Sequence, residues 1–152
     1  MTVEIREVRY DEPEVGTLVA LALGDLSARY GGGSGDDTPV SAAEFAPPLG
    51  RFFVAVDGER MIGCAGWRTH GDDAELKRMY TVPAARGRGV ARRLLAAVEA
   101  SARGDGRARV ILEMGDRQPE AISLYQSAGY RRIPDFGYYK EYPGVLSFAR
   151  DL

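Results

Sequence analysis

The chain has 152 residues, 28% of them charged, and a formal net charge of −2. A chain of this length buries roughly two-thirds of its unfolded surface around one core, so a single domain over residues 1–152 is expected. The charge balance argues against nucleic acid or an anionic membrane as partner, no apolar run has the length of a membrane span, and MTVEIREVRY lacks an apolar signal core, so the expected compartment is the cytoplasm.

Residues 3–10 alternate as a first strand, with Val3 and Ile5 on one face. Pro13 suits the first turn of a helix, and Val15, Leu18, Val19, Ala22 and Leu26 recur at helical spacing, so an amphipathic helix ends near Tyr30. Residues 31–37, GGGSGDD, hold no regular structure. They read either as a flexible linker inside the domain or as an acidic lip that draws in a cationic substrate. Ser41 and Glu44 have capping-box spacing, which predicts a short helix up to Pro47-Pro48. Residues 52–56, 61–69 and 74–82 are apolar-rich runs joined by Asp57-Gly58 and Gly71-Asp72-Asp73, as in an antiparallel meander. The single cysteine, Cys64, lies in the second run as a small core residue, so neither an internal disulfide nor a cysteine-based metal site is expected. The single histidine, His70, reads as a turn residue, and no metal is expected. Val90, Leu94, Leu95, Val98 and Ala102 mark a helix that Gly104-Asp105-Gly106 ends; residues 109–114, RVILEM, read as a central strand. Pro119 opens another helix and Gly129 closes it, and residues 130–133 and 145–149 form final strands around the aromatic loop 136–142.

Between the third run and the following helix lies Arg86-Gly87-Arg88-Gly89-Val90-Ala91. A turn that leaves a strand and opens a helix exposes backbone N–H groups without intrahelical partners, and the helix dipole adds positive charge there. Glycines at 87 and 89 let the chain take positive φ and let an anion approach the amides. Arg86, Arg88, Arg92 and Arg93 add long-range charge, which favours a polyphosphate over a carboxylate. The same residues also make an ordinary tight turn with arginines on a solvated face. No Lys follows either glycine as a P-loop requires, and the third small residue of a dinucleotide fingerprint is missing. What fits is Arg-x-x-Gly-x-Ala at 86, 89 and 91, which resembles the pyrophosphate-binding signature of the GNAT superfamily of acyl-CoA N-acyltransferases.

The resemblance extends along the chain. The element order is similar to that family's, and residues 118–130 resemble its Asn-x-x-Ala-x-x-Leu-Tyr-x-x-x-Gly-Phe/Tyr motif through Ala121, Leu124, Tyr125, Gly129 and Tyr130. Gln118 stands where Asn is commoner, and Ala91 where Gly is commoner. The resemblance implies an α/β (α+β) GNAT fold, a mixed, mostly antiparallel sheet of about seven strands with about four helices and a splay between strands four and five. It also implies acetyl-CoA as cosubstrate. The diphosphate would lie on Arg86, Gly87, Arg88, Gly89, Val90, Ala91 and Arg92, and the pantetheine arm against the backbone of Met79, Tyr80 and Thr81, with Gln118 orienting the cofactor. The acceptor would be a primary amine on a small molecule, amino acid, antibiotic or peptide.

Transfer to an amine requires a base, an oxyanion donor and an acid for the leaving thiolate. The motif tyrosine is Tyr125, which otherwise reads as a core aromatic beside Ile122 and Leu124. Glu113, at the end of the central strand, and Glu75, on the strand before the turn, both match family positions for the base. An apolar strand end raises a carboxyl pKa, whereas a structural pairing of Glu113 with Arg78 or Arg117 would leave no base. The oxyanion donor would be a backbone N–H near Met79 or Tyr80. Tyr138, Tyr139 and Tyr142 read as a cation–π cage for the amine, as cover for the sheet edge, or as a homodimer interface. An acyl-CoA-binding sensor without catalysis is the competing function; it would need the 86–91 turn but neither Tyr125 nor a base.

Overall fold

A computed structural model describes residues 2–152. In chain order the elements are β1 (Val3–Val8), α1 (Pro13–Arg29), β2 (Gly50–Asp57), β3 (Arg60–His70), β4 (Asp73–Thr81), α2 (Val90–Gly104), β5 (Arg109–Gly115), α3 (Pro119–Ser127), β6 (Arg131–Arg132) and β7 (Val145–Asp151), with 3-10 turns at Ala42–Phe45 and Pro83–Ala85. The strands form one seven-stranded sheet in the order β1-β2-β3-β4-β5-β7-β6. All neighbours are antiparallel except β4 and β5.

Both faces of the sheet are covered, so the central strands are buried on alternate residues of both sides. Phe52, Val54, Val56 and Cys64 pack under Val15, Leu18 and Val19 of α1, together with Phe45. Phe53, Ala65, Trp67, Val110 and Leu112 face Leu94, Leu95 and Val98 of α2 on the other side, where Tyr125 of α3 joins the same layer. The Trp67 indole N–H donates to Ser101 Oγ at 2.7 Å, which satisfies the one polar atom of a fully buried ring.

Three features bear on the site. First, β4 and β5 pair only at Ala74 with Val110 and Glu75 with Ile111, and beyond these the two strands part. The expected splay is therefore present, and it leaves backbone polar groups at the C-terminal half of β4 without a strand neighbour on that side. Secondly, Cys64 faces Tyr80 and Gly66 faces Lys77, so Arg78 and Met79 share the one position opposite Ala65. This is a bulge, and Arg78 takes φ 61°, a left-handed conformation uncommon for any non-glycine residue. Thirdly, Gly89 is the N-cap of α2 at φ 79°, and the first helical hydrogen bond runs from Arg93 N–H to Gly89 C=O.

Several sequence expectations shift. The helix expected after Ser41 is a single 3-10 turn, Ala42–Phe45, although the Ser41 N–H does donate to Glu44 Oε1 at 2.8 Å as a capping box requires. Among the described residues there are thus three α-helices rather than about four. The first strand stops at Val8, because Tyr10 turns inward against Phe45 and Phe52 at ring separations of 4.8 and 4.9 Å. His70 is the last residue of β3, opposite Asp73, with its ring edge-on to Phe136 at 5.2 Å. No helix among the described residues is long and apolar enough to cross a membrane.

Candidate active site

The parting of β4 from β5 opens a cleft between α1, α3 and the sheet. It holds two cavities of about 380 and 310 Å³. Asp25, Met79, Tyr80, Gln118 and Tyr125 line both, so the two communicate along the free edge of β4.

The smaller cavity is built on backbone. Thr81, Arg86, Gly87, Gly89, Val90, Ala91 and Arg92 line it. The amides of residues 89–92 precede the first helical hydrogen bond and lie at the positive end of α2. Gly87 and Gly89 sit at φ 78° and 79°, and a Cβ built on either would meet no atom within 4 Å, so both face open space. The Thr81 hydroxyl oxygen is buried without a hydrogen-bond partner.

The four arginines of the turn do not act alike. Arg86 donates from Nε to Thr81 C=O at 3.0 Å, and its guanidinium lies over the Tyr80 ring at 5.7 Å. Arg92 reaches Ser127 Oγ across the cavity mouth. Arg93 turns away to the Val3 carbonyl at 2.5 Å, and neither it nor Arg88 lines the cavity. Of the four, Arg86 and Arg92 line the cavity itself. Across the mouth, Arg29 of α1 pairs with Asp25 and with Glu120 of α3.

The larger cavity is built on side chains brought from distant parts of the chain. Glu113 of β5 lines it, and its two carboxylate oxygens accept the Tyr139 N–H at 3.3 and 3.2 Å. The backbone at Gly137 lies so close that a Cβ there would stand 2.4 Å from Glu113 Oε2. Burial raises the Glu113 pKa, and the repulsion of Glu75 and Asp36 adds to it against the opposing Tyr139 bond and Lys77 charge. Neither arginine named as a possible partner reaches it: Arg78 pairs with Asp36, and Arg117 stacks over the Tyr30 ring at 5.8 Å. Glu75 is almost fully buried, accepts Arg68 Nε at 3.0 Å and does not line the cavity.

Tyr125 stands where the two cavities meet. Its ring packs on Tyr130 at 5.6 Å, and its hydroxyl has no hydrogen-bond partner among the described residues. Burial raises its pKa, which keeps the phenol protonated through the neutral range. Gln118, the N-cap residue of α3, lies beside it with Nε2 3.4 Å from the Tyr30 hydroxyl.

The glycine-rich segment is not a loose linker. Asp36 accepts Lys77 Nζ at 3.3 Å, the Tyr139 hydroxyl at 3.0 Å and Arg78 Nη1. Burial alone pushes the Asp36 carboxyl up, but the charge of Lys77, the bonds from Thr38 and the charge of Arg78 outweigh it and hold the group well below the usual carboxylate range. The acidic lip is thus clasped to β4 and to the aromatic loop, its charge already matched. Tyr139 and Tyr142 line the larger cavity, whereas Tyr138 does not and is 47% exposed.

Lys77 is not among the sequence candidates, Asp36 enters only as part of the acidic lip, and Arg78 only as a possible partner of Glu113. In AELKRMY, Lys77 alternates with Ala74 and Leu76 on the face that reads as polar, so its burial beside a carboxylate comes from the fold and not from the strand pattern. Nothing in the sequence marks the bulge that turns Arg78.

The family model described as "Acetyltransferase (GNAT) domain" matches residues 48–132. An IAA acetyltransferase of Azospirillum brasilense is 38% identical over 109 residues, 70% of this chain and 71% of that protein. Among solved structures, a Klebsiella pneumoniae protein assigned to the acyl-CoA N-acyltransferases superposes with TM-score 0.84 at 24% identity, over 99% of this chain and 98% of that one. A PaiA N-acetyltransferase from Thermoplasma acidophilum, solved in complex with coenzyme A, has the same fold at TM-score 0.75 and 16% identity over the whole of both chains. With the family model covering more than half of the sequence and the parted strands in the expected place, the chain belongs to the GNAT acetyltransferase family and is an acyltransferase.

Proposed function

We propose that this protein moves the acetyl group of acetyl-CoA to a primary amine by direct attack. The observation that carries this reading is the continuity of the cleft: a backbone-built anion seat at one end, a half-buried carboxylate at the other, and Tyr125 at the junction of the two. The residues fit an acyl-CoA. The amides of residues 87–92, with Arg86 and Arg92, would hold the diphosphate. The free edge of β4 at Met79, Tyr80 and Thr81 would pair with the pantetheine amides like an added strand, and the unpartnered Thr81 hydroxyl lies along that edge.

The chemistry divides among four groups. Glu113 takes a proton from the substrate ammonium, directly or through water, and so frees the nitrogen lone pair; its raised pKa suits a base working near neutrality. Glu75 is the weaker candidate, because Arg68 already holds it and it does not face the cavity. A backbone N–H near Met79 or Tyr80 stabilises the carbonyl oxygen as it gains charge, a contribution of about 3 kcal/mol in other enzymes. As the C–S bond breaks, Tyr125 gives its proton to the sulfur and recovers one from the nitrogen that has become an amide.

The direct test is a screen of amines with acetyl-CoA that follows the release of free thiol. Release that depends on the amine is the expected result. Acetyl-CoA binding with no turnover on any acceptor would instead favour a sensor.

A further inference from the structure

The larger cavity contains an imbalance that the reaction alone does not explain. Two cations, Lys77 and Arg78, are buried on adjacent residues and share one carboxylate, Asp36. Lys77 has a second partner in Thr38 Oγ1 at 3.2 Å. Arg78 does not: only Nη1 of its guanidinium has a side-chain partner, and its Nε is buried without a hydrogen bond. Its side chain is only 6% exposed, and its backbone is strained at φ 61°. A strained residue that buries a guanidinium N–H without a partner costs stability, and such features gather where a ligand is received.

Proton accounting gives the reason. Beside Asp25, which Arg29 already pairs, the cavity wall holds two cations, Lys77 and Arg78, and, with Glu113 ionised, two carboxylates, Asp36 and Glu113. An ammonium acceptor adds a third cation, and because its proton passes to Glu113 one positive charge is in excess both before and after that step, in a place where uncompensated charge is expensive. A substrate bearing its own carboxylate balances that charge on both sides of the step.

Resting on the acetyl-transfer reading above, the geometry points to an acceptor that carries a carboxylate beside its amine, an amino acid with an apolar or aromatic side chain, with Arg78 receiving the carboxylate. The planar fork of an arginine suits that group. The remaining walls, among them Leu26, Met114, Tyr139 and Tyr142, suit an apolar side chain within about 380 Å³.

The experiment compares matched acceptors on the full chain with acetyl-CoA: phenylalanine against phenethylamine, and leucine against isoamylamine, by kcat/KM from thiol release. The amino acid should be preferred by at least about tenfold, since a site built around a polar group rejects the analogue that lacks it. Arg78→Asn, a residue that tolerates positive φ, should bring the ratio of the two kcat/KM values toward one, chiefly through KM of the amino acid. Equal or better turnover of the decarboxylated amines overturns the inference, as does an unchanged ratio in Arg78→Asn. Should that variant fail to fold, the wild-type ratio decides alone. Turnover of peptide N-termini but of no free amino acid overturns it and leaves acetyl transfer standing. Failure to bind acetyl-CoA by calorimetry overturns both.

Discussion

The two ends of the cleft are made differently. The end proposed to hold the cofactor comes from one contiguous stretch, residues 86–92, and its donors would be main-chain amides fixed by the strand-to-helix turn. The end proposed to receive the acceptor comes from α1, the segment around Asp36, β4, β5 and the loop around Tyr139, joined by ion pairs and hydrogen bonds between residues about forty to a hundred positions apart. A seat built on backbone tolerates changes in most side chains so long as the turn keeps its shape. A pocket built on side chains depends on a few of them, and a single substitution reshapes it.

The sharpest way to test that contrast is to remove the clasp. Asp36→Asn leaves Lys77 and Arg78 buried without the carboxylate they share and should cost about 3 kcal/mol of stability in urea unfolding, the low end for breaking a buried pair. Because the folded-state pKa of Asp36 is depressed, its contribution is present above the unfolded carboxylate value of 3.8 and lost as pH falls below it toward the folded pKa. The gap between wild type and variant should therefore hold constant at neutral pH and close in acid; a gap below 1 kcal/mol at pH 7 would mean the clasp is ornamental. At the other end, Gly89→Asp forces a side chain into left-handed backbone and sets a carboxylate in the anion seat, so acetyl-CoA should bind about 100-fold more weakly or not at all in calorimetry while the melting temperature changes little. Tight binding would place the diphosphate elsewhere.

Two smaller effects separate the chemistry from the binding. Glu113→Gln should lower kcat by about 100-fold, within the range for a removed base. It should also abolish the acid limb of the kcat/KM profile, which in wild type lies above the ordinary glutamate value of 4.5 because burial disfavours the carboxylate. Survival of that limb in the variant would shift attention to Glu75. Tyr125→Phe should lower kcat by about 10-fold or more with acetyl-CoA affinity retained. Undiminished turnover would return Tyr125 to the role of a core aromatic.

The same contrast explains what was legible in the sequence. The turn at 86–91 is local: glycine placement, strand and helix periodicity and the arginine cluster all lie within a few residues, so its shape, and with it the proposal that it seats an anion, follows from the chain itself. The strand order and the two-sided core follow from apolar runs such as FFVAV and RVILEM. What stayed hidden is non-local. The sequence GGGSGDD reads as a linker because its glycines carry no packing information, yet Asp36 within it is fixed by charges on β4 that no spacing rule connects to it. The bulge at Arg78 is likewise invisible, since Arg is among the residues least expected at positive φ. Even within the turn, the roles of the arginines depended on the neighbours each found: Arg93 is drawn off to the Val3 carbonyl, while Arg92 stays at the cavity.

The most direct measurement is a crystal structure with coenzyme A bound. The expected result is a diphosphate on the amides of residues 87–92, a pantetheine arm along the free edge of β4, and the sulfur within hydrogen-bond reach of the Tyr125 hydroxyl. A diphosphate bound away from that turn, or a sulfur out of reach of the phenol, would contradict it.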